Sequence, residues 1–243
     1  MQSRRLYRDW AYSKGLTSFT VVADETDLRI SSSMDLSREA LTSASRHRHT
    51  LKSYFHLHPR FATSLRPQEA QPGAPDIIVR MADAARSAGI GPLSAVAGAI
   101  AEAVGKDLLQ HCAEVIVENG GDIFMQSPSE RTVGLYAGQS PLTGHIGILI
   151  SADMMPVSIC TSSSSIGHSL SLGVADACTV VARSASVADV FATMLCNRVR
   201  EPSTLQEVLA SIELPADIVG VVMAFGDKLA MQGGIHLVDV STG

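Results

Sequence analysis

Asp189 and Thr193 stand four residues apart in 186–199, where Val187, Val190, Phe191, Met194 and Leu195 follow helical spacing. On a helix that separation puts a carboxylate and a hydroxyl on one side, one turn apart. The back of the same helix is small and neutral (Ala185, Ala188, Ala192, Cys196), and Asp189 is the only carboxylate or amine between Ser184 and Asn197. A lone carboxylate on a helix buried on both sides is costly unless it is paired or binds a metal. Carboxylate plus hydroxyl oxygen is a hard donor set suited to Mg2+, an ion that keeps waters and bridges to phosphates. An Asp near a helix start also favours the helix dipole with no ligand at all. The residues alone leave both readings open.

Two further stretches carry candidate chemistry. The first is Asn119-Gly120-Gly121-Asp122, set between two β-prone runs. It reads as a tight hairpin turn whose central residues need positive φ. It also reads as a strand mouth where the glycines let backbone N–H groups approach a ligand beside Asp122. The second is the loop from Thr161, Ser162 and Ser163 through Gly167 and His168 to Ser171. Between Asp153 and Arg183 the only charged residue is Asp176, so this is not an ordinary solvated loop. Small hydroxyl residues with a glycine offer N–H and O–H donors to a phosphate, as backbone nests do. His168 is placed to donate to the same anion or to handle a proton. A flexible serine linker is the bland reading. A Walker loop is excluded by the missing GKS or GKT ending, and no GxSxG elbow supports a serine hydrolase.

These residues need elements to hold them. A hairpin is expected over 17–23 and 28–32, with Asp24 to Asp27 as its turn. A helix is expected from Ser37 towards His58, stopped by Pro59, and its middle, Arg46-His47-Arg48-His49, is the most basic patch of the chain. Such a patch is usually a solvated face; the alternative is an anion-facing wall contributed across a dimer. After an irregular connection, a helix runs from Pro75 to Ala88. A second, starting at Gly91-Pro92, places Leu93, Val96, Ala97, Ile100, Ala101, Val104 and Leu108 on one stripe. Ala and Gly98 make that helix thin, so something packs very close to it. Short strands are expected at 132–136, 146–150, 157–161, 177–182, 218–224, 228–231 and 235–240, with a short helix near 203–211. Helical pairs alternating with antiparallel hairpins predict a two-layer α+β fold, an antiparallel sheet packed against helices, with a weak hint of an internally duplicated unit.

At 243 residues, 46% hydrophobic and 5% aromatic, the chain can build one domain over 1–243 with a core of small aliphatic side chains. A net charge of −5 gives no reason to expect nucleic acid, and so few aromatics leave no stacking platform for single strands. Four widely spaced cysteines without a CxxC pair argue against disulfides or a zinc site. No export signal follows the N-terminal basic residues, and no run is long enough to span a bilayer. A cytoplasmic protein is expected.

Taken together, Glu118-Asn-Gly-Gly-Asp122-Ile, Thr161-Ser162 and Ser186-Val-Ala-Asp189-Val-Phe-Ala-Thr193 resemble the GGD, TSG and ADA-x-AT motifs of the ApbE-like proteins. The family includes magnesium-dependent FAD:protein FMN transferases, which move FMN from FAD to a protein threonine. The run Gly91-Pro-Leu-Ser-Ala-Val-Ala-Gly-Ala-Ile-Ala-Glu102 is similar to an uncharacterised cytoplasmic branch of it. The resemblance spans about Gly91 to Val199 and implies a T-fold-like architecture with a flavin-sized cleft. It implies that Asp189 and Thr193 are Mg2+ ligands, with a backbone carbonyl near Val96 as a third. Asn119, Gly120, Gly121 and Asp122 would line the nucleotide site, with Thr161, Ser162 and Ser163, while His168 or Asp122 would manage a proton. Two positions depart from the transferase pattern: Ala97 stands where a lysine is usual, and His168-Ser-Leu-Ser-Leu replaces HIIDP.

The expected function is therefore binding of FAD or a similar small phosphorylated ligand through Mg2+, as a flavin transferase with an acceptor protein or as an FAD pyrophosphate-cleaving enzyme. An accessory role in sulfur assimilation into homocysteine, which the resemblance attaches to the cytoplasmic branch, is one alternative. A non-catalytic flavin or nucleotide carrier is another. Association into a homodimer or higher homo-oligomer is also implied by the resemblance.

Overall fold

The computed structural model describes residues 15–163 and 173–240. Along the chain come β1 (Thr17–Ala23), β2 (Thr26–Ser32), α1 (Ser37–Leu57), α2 (Pro59–Thr63), α3 (Asp76–Ala88) and α4 (Val96–Leu108). Then follow β3 (Val115–Asn119), β4 (Asp122–Gln126), β5 (Arg131–Gly134), β6 (Ile146–Ile150), β7 (Val157–Ser162) and β8 (Ala177–Ala182). The chain ends with α5 (Ala185–Arg198), α6 (Leu205–Ala210), β9 (Ile218–Phe225), β10 (Lys228–Gly233) and β11 (His236–Asp239). Pro59, expected to stop a helix, also starts one. Proline fits a first helical turn, where its missing N–H goes unused, so α1 ends at Leu57 and α2 restarts at once.

Eight strands form one antiparallel sheet in the order β1-β2-β3-β4-β7-β8-β9-β10. The alternation of side chains along each strand decides which layer it serves. Leu28, Ile30, Val115, Val117, Phe124, Cys160, Val180, Val221 and Met223 point into a core shared with the helices. Ile116, Ile123, Met125, Val157, Ile159, Val181 and Val222 point the other way, against Val133, Leu135, Ile148 and Ile150. Val133, Ile148 and Ile150 belong to a three-stranded sheet, β11-β6-β5, that covers the opposite face, and Leu135 follows directly on β5. The expected α+β fold, an antiparallel sheet packed on helices, is what forms; the small sheet adds a third layer. Strand pair, helices, strand pair occurs twice, before and after β5–β6, but the recurrence is one of order alone: four helices fill the first interval and two the second.

α4 lies at the centre of the helical layer and touches α1, α3, α5, β3 and β4. Two glycines let it sit that close. A Cβ on Gly98 would fall 2.7 Å from the Ala185 carbonyl oxygen on α5, and one on Gly105 would fall 2.2 Å from the Phe124 ring on β4. The thinness expected from Ala and Gly98 is thus spent on a helix and a strand at once.

The basic patch of α1 is neutralised within the chain. Asp107, at the end of α4, accepts from Ser43 Oγ at 2.5 Å, Arg46 at 2.5 Å and His47 Nε2 at 2.9 Å. Arg48 pairs with Glu25, and Lys52 with Asp24 at 2.7 Å. The patch therefore docks α1 on α4 and on the β1–β2 turn. Among the described residues no single helix is long and apolar enough to cross a membrane.

Gly105→Ala is expected to destabilise the protein by about 1–3 kcal/mol, as overpacking of a filled core does. Urea denaturation measures this, and the loss should shrink in a Phe124→Leu background. An equal loss in both backgrounds would mean that the ring contact is not the cause.

Candidate functional site

Four segments converge where α4 begins. The first turn of α4 and the first turns of α5 come from the helical layer; the β3–β4 turn and the end of β7 come from the sheet. Asp189 is buried and its Oδ2 accepts the Gly98 N–H at 2.9 Å. Glu102, also buried, returns the favour: its Oε2 accepts the Ala185 N–H at 2.8 Å, and its Oε1 accepts Lys106 Nζ at 2.5 Å. Each helix thus places a carboxylate on an unsatisfied N–H in the first turns of the other, where the helix dipole welcomes negative charge.

The β3–β4 turn is locked from both sides. Gly120 and Gly121 take φ of 67° and 110°, the left-handed values a two-residue hairpin requires, with Asn119 and Asp122 paired across it. Asn119 Nδ2 donates to the Ala97 carbonyl at 2.9 Å, tying the turn to α4. The Gly121 N–H donates to Glu118 Oε1 at 2.9 Å. The Gly121 N–H is thus satisfied within the turn, and the turn also delivers Asp122.

Asp122 is buried against Asp189, the two carboxyl groups hydrogen-bonded to each other. Burial pushes the Asp122 carboxyl well above the usual range and the Asp189 charge adds to this; the Cys160 thiol and the Thr161 N–H, which donate to it, oppose the rise. Burial likewise raises Asp189, to about 7, against the pull of Gly98 N–H and Asp122. Two carboxyls in contact in a low-dielectric site share a proton, because both cannot ionise there unaided. Burial and the same two acids push the Cys160 thiol up as well, so it stays protonated and serves as a donor.

A family model described as AbpE bacteria matches residues 8–221. The chain belongs to that family. A UPF0280 protein of Methanocaldococcus jannaschii is 38% identical over 190 residues, 76% of this chain and 77% of its own. A UPF0280 protein of Methanospirillum hungatei is 39% identical over 222 residues, covering 90% and 85%. Among solved structures, the ApbE protein of Thermotoga maritima superposes with a TM-score of 0.51 at 10% identity, over 88% of this chain and 96% of that one, which supports the fold. The match extends well beyond the Gly91–Val199 span in which the motifs lie.

The AbpE-family motifs are brought together unevenly. Asp122 and Asp189 touch. Thr193 is half-buried one turn beyond Asp189 on α5. Thr161 turns its hydroxyl to the other face of the sheet, onto Thr179 Oγ1 at 2.9 Å, so only its N–H serves the acids. Ser162 alternates back towards the helices, and its buried hydroxyl has no partner among the described residues. Ser163 is buried at the strand's end. His168 lies outside the described residues. No group of three or more His, Cys, Asp and Glu side chains suited to a metal is present among the described residues. An ion here would rest on two carboxylates with hydroxyl and main-chain oxygens, a hard donor set of the kind Mg2+ takes. The Ser162 hydroxyl, without a partner among the described residues, and the two paired acids are of the chemistry a cation and its anionic ligand would need.

Glu102, Glu118, Cys160 and the N–H of Gly98 were missed by the sequence reading. Glu102 had a signal: like Asp189 it is the only charged residue in its stretch, from Gly91 to Val104.

The raised pKa of Asp189 means that the folded protein keeps a proton which the unfolded chain, at its ordinary 3.8, has released. In metal-free protein this lowers stability as pH rises from about 4 to about 7, levelling off above. Asp189→Asn should remove that contribution. Urea denaturation with a chelator present should show the variant gaining on wild type across this range; a pH-independent difference would contradict the shared proton.

Proposed function

We propose that this AbpE-family chain binds FAD or a similar phosphorylated ligand through Mg2+ and acts as a flavin (FMN) transferase or FAD pyrophosphate-cleaving enzyme. The observation that carries the reading is the buried Asp122–Asp189 pair, with Ser162 on the same face of the sheet carrying a buried hydroxyl that has no partner among the described residues. Asp189 and Thr193, with a carbonyl near Val96, would hold the ion, which when bound supplies charge neutralisation on the pyrophosphate. Asn119, Gly120 and Gly121 shape the wall that carries Asp122, and Ser162 and Ser163 donate to phosphate oxygens. The proton that Asp122 and Asp189 share would leave when Asp189 ligates. His168 is the proposed partner for a proton at the attacking hydroxyl or leaving phosphate.

Ala97 favours a second reading, a carrier that binds flavin without transferring it, because the position usual for lysine in transferases here has only a methyl group. The thiols lend nothing to a sulfur-handling role: burial pushes Cys112, Cys160 and Cys178 up, away from the thiolate form.

Calorimetry with FAD, with and without Mg2+, tests the binding. Wild type should bind only with Mg2+. Asp189→Ala should lose more than about tenfold in affinity, and Ser162→Ala about three- to tenfold, the worth of one hydrogen bond. Absence of Mg2+-dependent binding in wild type sinks the proposal. Chromatography of incubated FAD then separates enzyme from carrier: release of AMP marks turnover, and intact FAD marks a carrier.

A further inference from the structure

We propose that Glu102 is a positioning residue for Asp189, acting through the first turn of α5. The proposal rests on the reading of Asp189 as a cation ligand, and its tests separate the two. Gly98 and Glu102 are one turn apart on α4, and Ala185 and Asp189 are one turn apart on α5. Gly98 N–H meets Asp189 at 2.9 Å and Ala185 N–H meets Glu102 at 2.8 Å, so the four residues close a ring across the contact. Two bonds, a helical turn apart, tie the register of α5 to α4.

The start of α5 has no side-chain cap of its own. Ser184 stands at its cap with no side-chain hydrogen bond to the helix, so the first turn takes its carboxylate from α4. Gly98 brings the backbones close enough for both bonds to be direct, since any Cβ there would strike the Ala185 carbonyl. Lys106, half exposed, balances the Glu102 charge from the solvent side, which makes a fully buried carboxylate tolerable. The single S–H of Cys160 faces the same Ala185 carbonyl, at 3.6 Å, and Asp122. Displacing Ala185 therefore disturbs both acids of the pair, although Glu102 touches neither.

Binding of Mn2+ alone, followed by electron paramagnetic resonance, tests the positioning. Glu102→Ala, with helicity and cooperative unfolding retained, should weaken Mn2+ binding by about 10- to 100-fold, as loss of a group that orients a ligand does. Glu102→Gln keeps an acceptor for Ala185 N–H and should stay within about threefold of wild type. If Glu102→Ala fails to fold, Ala185→Pro removes the same N–H at a first-turn position where proline is tolerated, and should weaken binding comparably. A folded Glu102→Ala or Ala185→Pro that binds Mn2+ like wild type overturns the proposal.

If wild type binds no Mn2+, the metal reading fails and the amide resonances decide the positioning. In metal-free Glu102→Ala, the Gly98 amide, which bonds to Asp189 and not to residue 102, should shift and lose exchange protection along with Ala185. A change confined to Ala185 would mean that Glu102 only caps α5, and would also overturn the proposal.

Discussion

Asp189 on α5 and Glu102 on α4 are each solvated by the backbone of the other's helix, and that exchange sets how closely the two helices approach. A carboxylate taken out of water needs replacement donors, and here they are N–H groups that a helix start leaves unpaired. The donors are only reachable because residue 98 has no side chain. The consequence spreads outward. With α5 seated on α4, its face towards the sheet must be small, and Ala188, Ala192 and Cys196 are fully or almost fully buried. The strands beneath answer with Cys160, Cys178 and Ala182, also fully buried.

The β3–β4 turn shows how an ordinary local structure becomes part of a site. A tight turn needs positive φ twice, and Gly120 and Gly121 supply it. Turn geometry alone would leave Asp122 at a strand mouth in water. What buries it is the attachment of Asn119 to the Ala97 carbonyl, which draws the turn under the start of α4. The plain hairpin and the ligand-lining wall are therefore not rivals. The hairpin explains the glycines, and the attachment explains why its acid faces Asp189.

The fold was legible in the sequence wherever a periodic pattern was served by neighbours close along the chain. The strands of the large sheet and the four long helices lie within a few residues of their expected positions, because each announces itself by alternation or by a stripe. The third layer was not legible. β5, β6 and β11 read as strands, yet β11 pairs with β6 from about ninety residues away and nothing local marks that partner. The site divides in the same way. Asp122 and Asp189 stood out as acids in apolar company, whereas their mutual contact spans 67 positions and depends on the closed sheet. Arg46 and His47 looked like a free cationic face until Asp107, some sixty residues on, arrived beside them. Glu102 could have been read by the rule that singled out Asp189, but only its distant partner Ala185 shows what it does.

Ala97 and the shared proton are two expressions of one electrostatic condition. The resemblance to transferases places a lysine where Ala97 stands, and a lysine there would bring positive charge to the first turn of α4. Here that turn offers the acids the Gly98 N–H, and no formal charge. Partial charges of this kind stabilise one ionised carboxylate more readily than two in contact. Asp122 and Asp189 therefore hold a proton between them until something else brings positive charge. On the proposed reading, a divalent cation would do so with the hard oxygens already present, and would release that proton. On the proposed reading, the missing lysine would leave the cation both to hold the ligand and to ionise the pair.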